Sequence, residues 1–155
     1  MKILLTGGAG FIGSHVAQAY LDQGHEVVIV DDLSTGYQHN VDPRAKFYII
    51  DVRDAQLSEI FASEQPDIVN HHAAQVSIPV SLKDPCFDAD VNVMGFVNLL
   101  ECCRKYQVKK VIYISSGGAI YGEAKEYPTT ENYRPAPLSV YAINKNCGEQ
   151  YLHAY

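Results

Sequence analysis

The sequence predicts an α/β domain built on one doubly wound parallel sheet, strand order 3-2-1-4-5. Three observations predict it. Short apolar runs rich in β-branched residues alternate with longer stretches of helical period, and that alternation makes a parallel sheet with helices on both faces. A glycine-rich turn, Gly7-Gly-Ala-Gly-Phe-Ile-Gly13, separates the first run from the first helical stretch. The chain has 155 residues, 47% of them hydrophobic and 19% charged, which suits a single domain, residues 1–155, with one buried core.

The elements follow in order. Lys2 to Thr6 reads as a buried strand. Phe11 to Gln23 reads as a helix, with Ile12, Val16, Ala19 and Tyr20 at helical spacing and Gly24 ending it. His25 to Val30 and Lys46 to Ile50 are the second and third strands. Asp54 to Gln65 is a helix opened by an aspartate cap and closed before Pro66. Asp67 to His71 is a fourth strand, and Asp84 to Tyr106 is one long helix with Pro85 in its first turn. Lys109 to Ser115 is the fifth strand. Tyr127 to Leu138, with three prolines, is a loop, and a last helix starts at Ser139. Connection rules for right-handed crossovers then set the strand order. A complete doubly wound domain usually carries a sixth strand, so the chain is expected to be the N-terminal part of a longer protein.

Composition narrows the function classes. The formal charge of −6 argues against a nucleic-acid partner, which needs a basic surface. Cys86, Cys102, Cys103 and Cys147 show no Cys-x-x-Cys spacing, so reduced, packed thiols are expected rather than a disulfide framework or a metal site. No apolar stretch approaches the roughly 20 residues a membrane helix needs. A cytoplasmic protein without membrane contact is the expectation.

The glycine turn carries the first chemistry. Gly7 permits the tight turn out of the first strand, Gly10 lets backbone approach a pyrophosphate, and Gly13 lets the helix pack close to the strand. Free N–H groups at the helix start attract phosphate. Asp31 ends the second strand 18 residues after Gly13, where its carboxylate can accept hydrogen bonds from ribose hydroxyls and repel a 2′-phosphate. Asp32 adds negative charge. The expected cofactor is therefore NAD rather than NADP. Asp51, at the end of the third strand, either reaches the adenine or serves as a plain helix cap.

The second chemistry is Tyr141-Ala-Ile-Asn-Lys145, a phenol and an ammonium one helical turn apart on one face. A free tyrosine has a pKa of ~10 and is a weak base at neutral pH. A neighbouring cation favours the phenolate. Ser115 and Ser116 follow the fifth strand, at the carboxyl end where ligands of parallel sheets sit.

Thr6-Gly-Gly-Ala-Gly-Phe-Ile-Gly-Ser-His15, Asp31-Asp-Leu-Ser-Thr-Gly36, Asp51-Val52, His72-Ala-Ala-Gln75, Asn92, Ser115-Ser-Gly-Gly-Ala-Ile-Tyr-Gly122 and the Tyr141/Lys145 pair occur in this order along the chain. Together they resemble the extended short-chain dehydrogenase/reductase family, and within it the NAD-dependent sugar-nucleotide epimerases. The resemblance implies a Rossmann-type domain. It implies cofactor contacts at Phe11 and Ile12, at Asp31, Asp32, Leu33, Ser34, Thr35 and Gly36, at Asp51 and Val52, at His72, Ala73, Ala74 and Gln75, and at Asn92, Tyr141 and Lys145. The implied reaction is C4 epimerisation of a nucleotide sugar of the UDP-glucose/UDP-galactose type through a transient 4-keto sugar. Tyr141 would be the base, Lys145 its electrostatic partner, and a serine the second hydroxyl.

Two features depart from the family pattern. Relatives carry three consecutive hydroxyl residues after the fifth strand, the third of them catalytic. Counting back from Tyr121-Gly122 puts Gly117 at that place, and counting back from Tyr141 puts Ser116 there. Ser116 is assigned, with Ser115 as the alternative. Relatives also continue into further strands and a substrate domain. The resemblance further implies a homodimer formed through the long helix. Two other readings stand beside it: a sugar-nucleotide 4,6-dehydratase, which would carry an Asp-Glu pair where this chain has Gly117-Gly118, and a non-catalytic NAD-binding fragment.

Overall fold

The computed structural model describes residues 1–155. Its centre is a five-stranded parallel sheet in the order β3-β2-β1-β4-β5, as the sequence predicts. The strands are β1 (Lys2–Thr6), β2 (Glu26–Asp31), β3 (Lys46–Ile49), β4 (Ile68–His71) and β5 (Lys110–Tyr113). Leu5 lies opposite Ile29 on one side and Asn70 on the other, and Asn70 lies opposite Ile112.

The central strands form because both their faces are covered. Ile3, Leu4, Leu5 and Val27 to Val30 are all at most 3% exposed, the pattern of a parallel sheet between two helical layers. Successive side chains alternate in direction. Leu4, Val28 and Val30 join Val69 and the helices α2 (Leu57–Glu64) and α5 (Gly95–Lys105) in one cluster built around Leu57, Phe61, Phe96, Leu99 and Leu100. Leu5, Val27 and Ile29 face the other way, onto Ala17 of α1 (Phe11–Asp22). Cys102 and Cys103 belong to the first cluster, and burial raises both thiol pKa values.

The connections hold the departures from expectation. A short helix, α3 (Ile78–Lys83), fills part of the stretch between the fourth strand and the long helix, to which the sequence reading assigns no element; the Ser77 hydroxyl caps it at the Val80 N–H. The long helix is not one regular helix. It starts as α4 (Pro85–Ala89), capped by Asp84 at the Phe87 N–H, widens into a π-helical turn over Asp90–Met94, and continues as α5. Such single-turn widenings recur at functional sites, and this one buries Asn92 to 2% exposure. Helix α2 starts three residues later than expected because Asp54 accepts the Gln56 N–H at 2.8 Å, holding that stretch as a turn. Beyond β5 come α6 (Gly117–Ile120) and α7 (Val140–Ala154). Helix α7 packs on β5, α3, α4 and the π turn. No helix is long and apolar enough to cross a membrane.

Phe61 is fully buried and lies 6.1 Å, ring to ring, from Tyr106. Phe61→Ala should lower unfolding stability by ~3–5 kcal/mol, the usual cost of emptying such a site. Denaturant melts measure it; a change below ~1 kcal/mol would mean that α2 does not anchor this core.

Candidate functional site

All five strands are parallel, so their carboxyl ends lie along one side of the sheet, and the candidate residues follow those ends or lie on the π turn and α7. Backbone crowding shapes the centre of that side. Gly7 leaves β1 with φ of +70° and donates to the Val30 carbonyl at 2.8 Å. A Cβ there would lie 2.6 Å from the Ala73 nitrogen, so the chain after β4 runs directly against the turn. A Cβ on Gly13 would overlap the Gly7 carbonyl oxygen, which is how close α1 sits to the turn. Gly10 begins α1 with no capping side chain, and the first turn contains no acid. The N–H groups there, and the positive end of the helix dipole, are available to an anion. Phe11 and Ile12 stand 80% and 61% exposed beside them.

Asp31 locks this turn in place. Its carboxylate accepts the Ala9 N–H at 2.9 Å and the Leu33 N–H at 2.8 Å, and the residue is 7% exposed. Asp32 accepts from the Ser34 N–H and hydroxyl at 2.9 and 2.6 Å. The segment from Asp31 to Gly36 thus curls around the turn, and Gly36 packs against Ala9. Asn40, absent from the sequence reading, donates to the Ala9 carbonyl at 2.9 Å. Asp51 sits in the fork of Arg53, which donates at 3.0 Å from Nε and 2.5 Å from Nη2 and holds the carboxyl below its usual pKa. Arg53 also reaches Asp90, at 2.6 Å. Val52 is 5% exposed, and its carbonyl accepts from Asn98 at 2.8 Å.

The loop after β4 is held from two sides, by Thr6 of β1 and by Asn92 of the π turn. Thr6 Oγ1 lies 2.7 Å from His71 Nδ1 and accepts the Ala73 N–H at 3.2 Å. His71 is buried against Phe96, and burial, aided by Lys145 and His72, lowers its pKa to about 3, so it is neutral at physiological pH. The His72 Nε2 is buried without a partner. Asn92 clasps the Gln75 backbone twice, accepting its N–H at 3.0 Å and donating to its carbonyl at 2.9 Å.

Helix α7 supplies the phenol and the ammonium. Ser139 caps it at the Ala142 N–H, and the Tyr141 N–H donates to Ser81 Oγ on α3 at 3.2 Å. Tyr141 is 9% exposed and Lys145 4%. Lys145 Nζ donates to the Ile114 carbonyl at 2.9 Å and lies 4.9 Å from the centre of the Tyr113 ring. Burial lowers its pKa to about 8, against an opposing pull from Asp88. The two serines separate. Ser115 donates to Glu149 of α7, while Ser116 opens α6 without spending its side chain on a cap. Nothing lies within 4 Å of where side chains on Gly117 and Gly118 would begin, so the front of this segment is open. Ser81, Asp88, Asn40 and Glu149 were not legible as site residues; each lies on an element whose place only the fold reveals.

Lys145 has a sign-definite consequence for stability. Its folded pKa, about 8, lies below the ordinary lysine value of 10.5. Between those values the unfolded chain binds a proton that the folded chain has released, so stability rises with pH across the window. The contribution is on the order of 3 kcal/mol. The stability gap between wild type and Lys145→Met should shift in favour of wild type by about that amount from pH 8 to 10.5. Urea melts across this range test it; a gap independent of pH would contradict a buried amine.

Comparison with known proteins agrees with this geometry. The family model described as the NAD dependent epimerase/dehydratase family matches residues 3–155. The UDP-glucose 4-epimerase of Mycolicibacterium smegmatis is 44% identical over 160 residues, covering 100% of this chain and 51% of the relative. The Thermotoga maritima UDP-glucose 4-epimerase, solved with UDP-glucose, superimposes with a TM-score of 0.97 at 46% identity, covering 99% of this chain and 50% of that one. The Thermus thermophilus UDP-glucose 4-epimerase, solved in complex with NAD, gives a TM-score of 0.97 at 45% identity, covering 100% and 50%. The chain spans about half the length of the curated relatives it matches. It carries the glycine turn, the strand order and the Tyr141–Lys145 helix within a family match that runs from residue 3 to residue 155, and it belongs to the NAD dependent epimerase/dehydratase family.

Proposed function

We propose that this chain is the NAD-binding part of an enzyme that epimerises a nucleotide sugar of the UDP-glucose/UDP-galactose type at C4. The observation that carries the reading is the buried Tyr141–Lys145 pair, held on the same sheet edge as the glycine turn. The similarity to UDP-glucose 4-epimerases supports the substrate class.

The residues fit a dinucleotide. Gly7 and Gly13 leave room only for backbone, the first turn of α1 is uncapped, and His72 Nε2 is an unpartnered buried polar atom beside the turn. Gly7, Gly10, Phe11, Ile12 and Gly13 would hold the pyrophosphate. Asp31 and the segment Asp32, Leu33, Ser34, Thr35 and Gly36 would surround the adenosine ribose. Asp51 and Val52 would border the adenine. His72, Ala73, Ala74, Gln75, Asn92, Tyr141 and Lys145 would line the path to the nicotinamide. When bound, NAD supplies an acceptor and then a donor of hydride at the sugar carbon.

The chain's own residues handle the proton. Tyr141 takes it from the sugar hydroxyl and returns it after the keto sugar has turned over. Lys145, protonated at neutral pH, stabilises the phenolate from one helical turn away. Ser116 hydrogen-bonds the same hydroxyl, while Ser115 is engaged by Glu149. Gly117 and Gly118 offer no carboxylate pair, so the elimination chemistry of a 4,6-dehydratase has no acid and base there. The helical stretch from Pro85 to Lys105 exposes Phe87 and Met94, and α7 exposes Ile143 and Tyr151, apolar area that a second copy would cover in a homodimer. The free cysteines accord with a cytoplasmic setting.

The test uses the full protein. It should interconvert UDP-galactose and UDP-glucose with NAD. Tyr141→Phe should cost at least ~10²-fold in turnover while leaving NAD affinity within a few-fold. Near-normal turnover in Tyr141→Phe, or a dehydrated product from wild type, would overturn the assignment.

A further inference from the structure

Asp88, on α4, is the one fully buried carboxylate that the chemistry above does not use; it is 0% exposed. A buried carboxylate costs several kcal/mol unless its oxygens are satisfied. Here each oxygen takes one side-chain amide: Oδ2 accepts from Gln75 Nε2 at 2.5 Å, and Oδ1 from Asn144 Nδ2 at 2.6 Å. Gln75 cannot turn over, because its Oε1 accepts the Ser77 N–H at 2.6 Å and its Nε2 also donates to the Ser77 carbonyl. Asn144 is 7% exposed and lies on α7 between Tyr141 and Lys145. Gln75 belongs to the loop that packs against Gly7 and is clasped by Asn92. One carboxylate thus joins the glycine-turn side of the site to the helix carrying the phenol and the ammonium.

We propose that Asp88 is a positioning residue for the Tyr141–Lys145 pair, pinning α7 to the loop after β4 through Asn144 and Gln75 and supplying the negative charge that Lys145 feels. Hydrogen bonding alone does not account for the residue type. Both partners are neutral amides, and a neutral amide at position 88 could satisfy them if Asn144 turned over. What an amide cannot supply is charge. The groups around Lys145 are Tyr141 and Glu149, one turn before and one turn after it on its own helix, Tyr113 and the Ile114 carbonyl from the β5 segment, His71 and His72 from β4 and its exit, and Asp88 from α4. Both histidines have lowered pKa values, through burial first and Lys145 second among the shared causes, and are uncharged where Lys145 titrates. The Glu149 carboxylate is taken by the Ser115 hydroxyl and is only half-buried, so Asp88 is the fully buried anion in this set.

The role of Asp88 in turnover rests on the epimerase reading; its two measurable effects do not. In the full protein, hydrogen exchange of the α7 amides reads position, and the ¹³Cε titration of Lys145, assigned with Lys145→Met, reads charge. Asp88→Ala should speed exchange over residues 141–148 by at least ~10-fold, an opening cost of roughly one lost hydrogen bond. Asp88→Asn should leave that exchange within ~3-fold, because shape and amide contacts persist, yet lower the Lys145 midpoint by ~0.5 unit or more. Unchanged exchange in Asp88→Ala, or an unchanged Lys145 midpoint in Asp88→Asn, would overturn the proposal. If Asp88→Ala does not fold, the Asp88→Asn titration decides it alone. A wild-type protein with no epimerase activity would overturn the function proposed above and leave these two readings intact.

Discussion

The close approach of three backbone segments at Gly7 is the constraint on which the rest of this structure depends. The exit of β1, the start of α1 and the chain after β4 share a space that admits no side chain: a Cβ on Gly7 would meet Ala73, and one on Gly13 would meet Gly7. Parallel strands point their carboxyl ends to one edge, so the crowding falls where ligands of such sheets bind. Crowded backbone must still be hydrogen-bonded. Val30 takes the Gly7 N–H and Asp31 takes that of Ala9. Tyr37 and Asn40 then bond the Ala9 carbonyl, so the segment after β2 is held by the same turn.

A second layer of order comes from polar groups buried where the fold could have placed apolar ones. His71, Asp88, Asn92, Asn144 and Lys145 are all at most 7% exposed. Each ties one segment to another, and in a low-dielectric setting each also acts on its neighbours' charge. Burial first and Lys145 second depress the pKa of His71, and Asp88 opposes the depression of Lys145 by burial. The price is an amine held less basic than a lysine in water. The return is a cation fixed on the Ile114 carbonyl and the Tyr113 ring, one turn from the Tyr141 phenol.

The fold was legible because apolar runs and the glycine turn are local signals, and connection rules convert their order into topology. The strand order follows from β-rich runs separated by helices, with no information about contacts. Helix α3 escaped because Ser77-Ile-Pro-Val-Ser81 is short and carries a proline, although Ser77 and Pro79 form a start signal. The π turn at Asp90–Met94 escaped because one widened turn barely changes a helical period. In the candidate site, Asp31, Tyr141 and Lys145 stood out through spacing. Asp88 did not, since an aspartate in the first turn of a helix looks solvated until α7 is seen to cover it. Ser115 and Ser116 could be separated only once Glu149 was placed beside Ser115.

We propose that one continuous dinucleotide site runs along the carboxyl ends of the strands, from the glycine turn to Lys145. Titrating ¹⁵N-labelled protein with NAD+ and with NADP+, and following backbone amide shifts, tests it most directly. NAD+ should move the amides of residues 7–13, 31–36, 72–75 and 141–145 along a single binding curve, and NADP+ should bind more weakly because the Asp31 carboxylate, proposed at the ribose, would repel its 2′-phosphate. Shifts confined to some other surface, or tighter binding of NADP+, would contradict it.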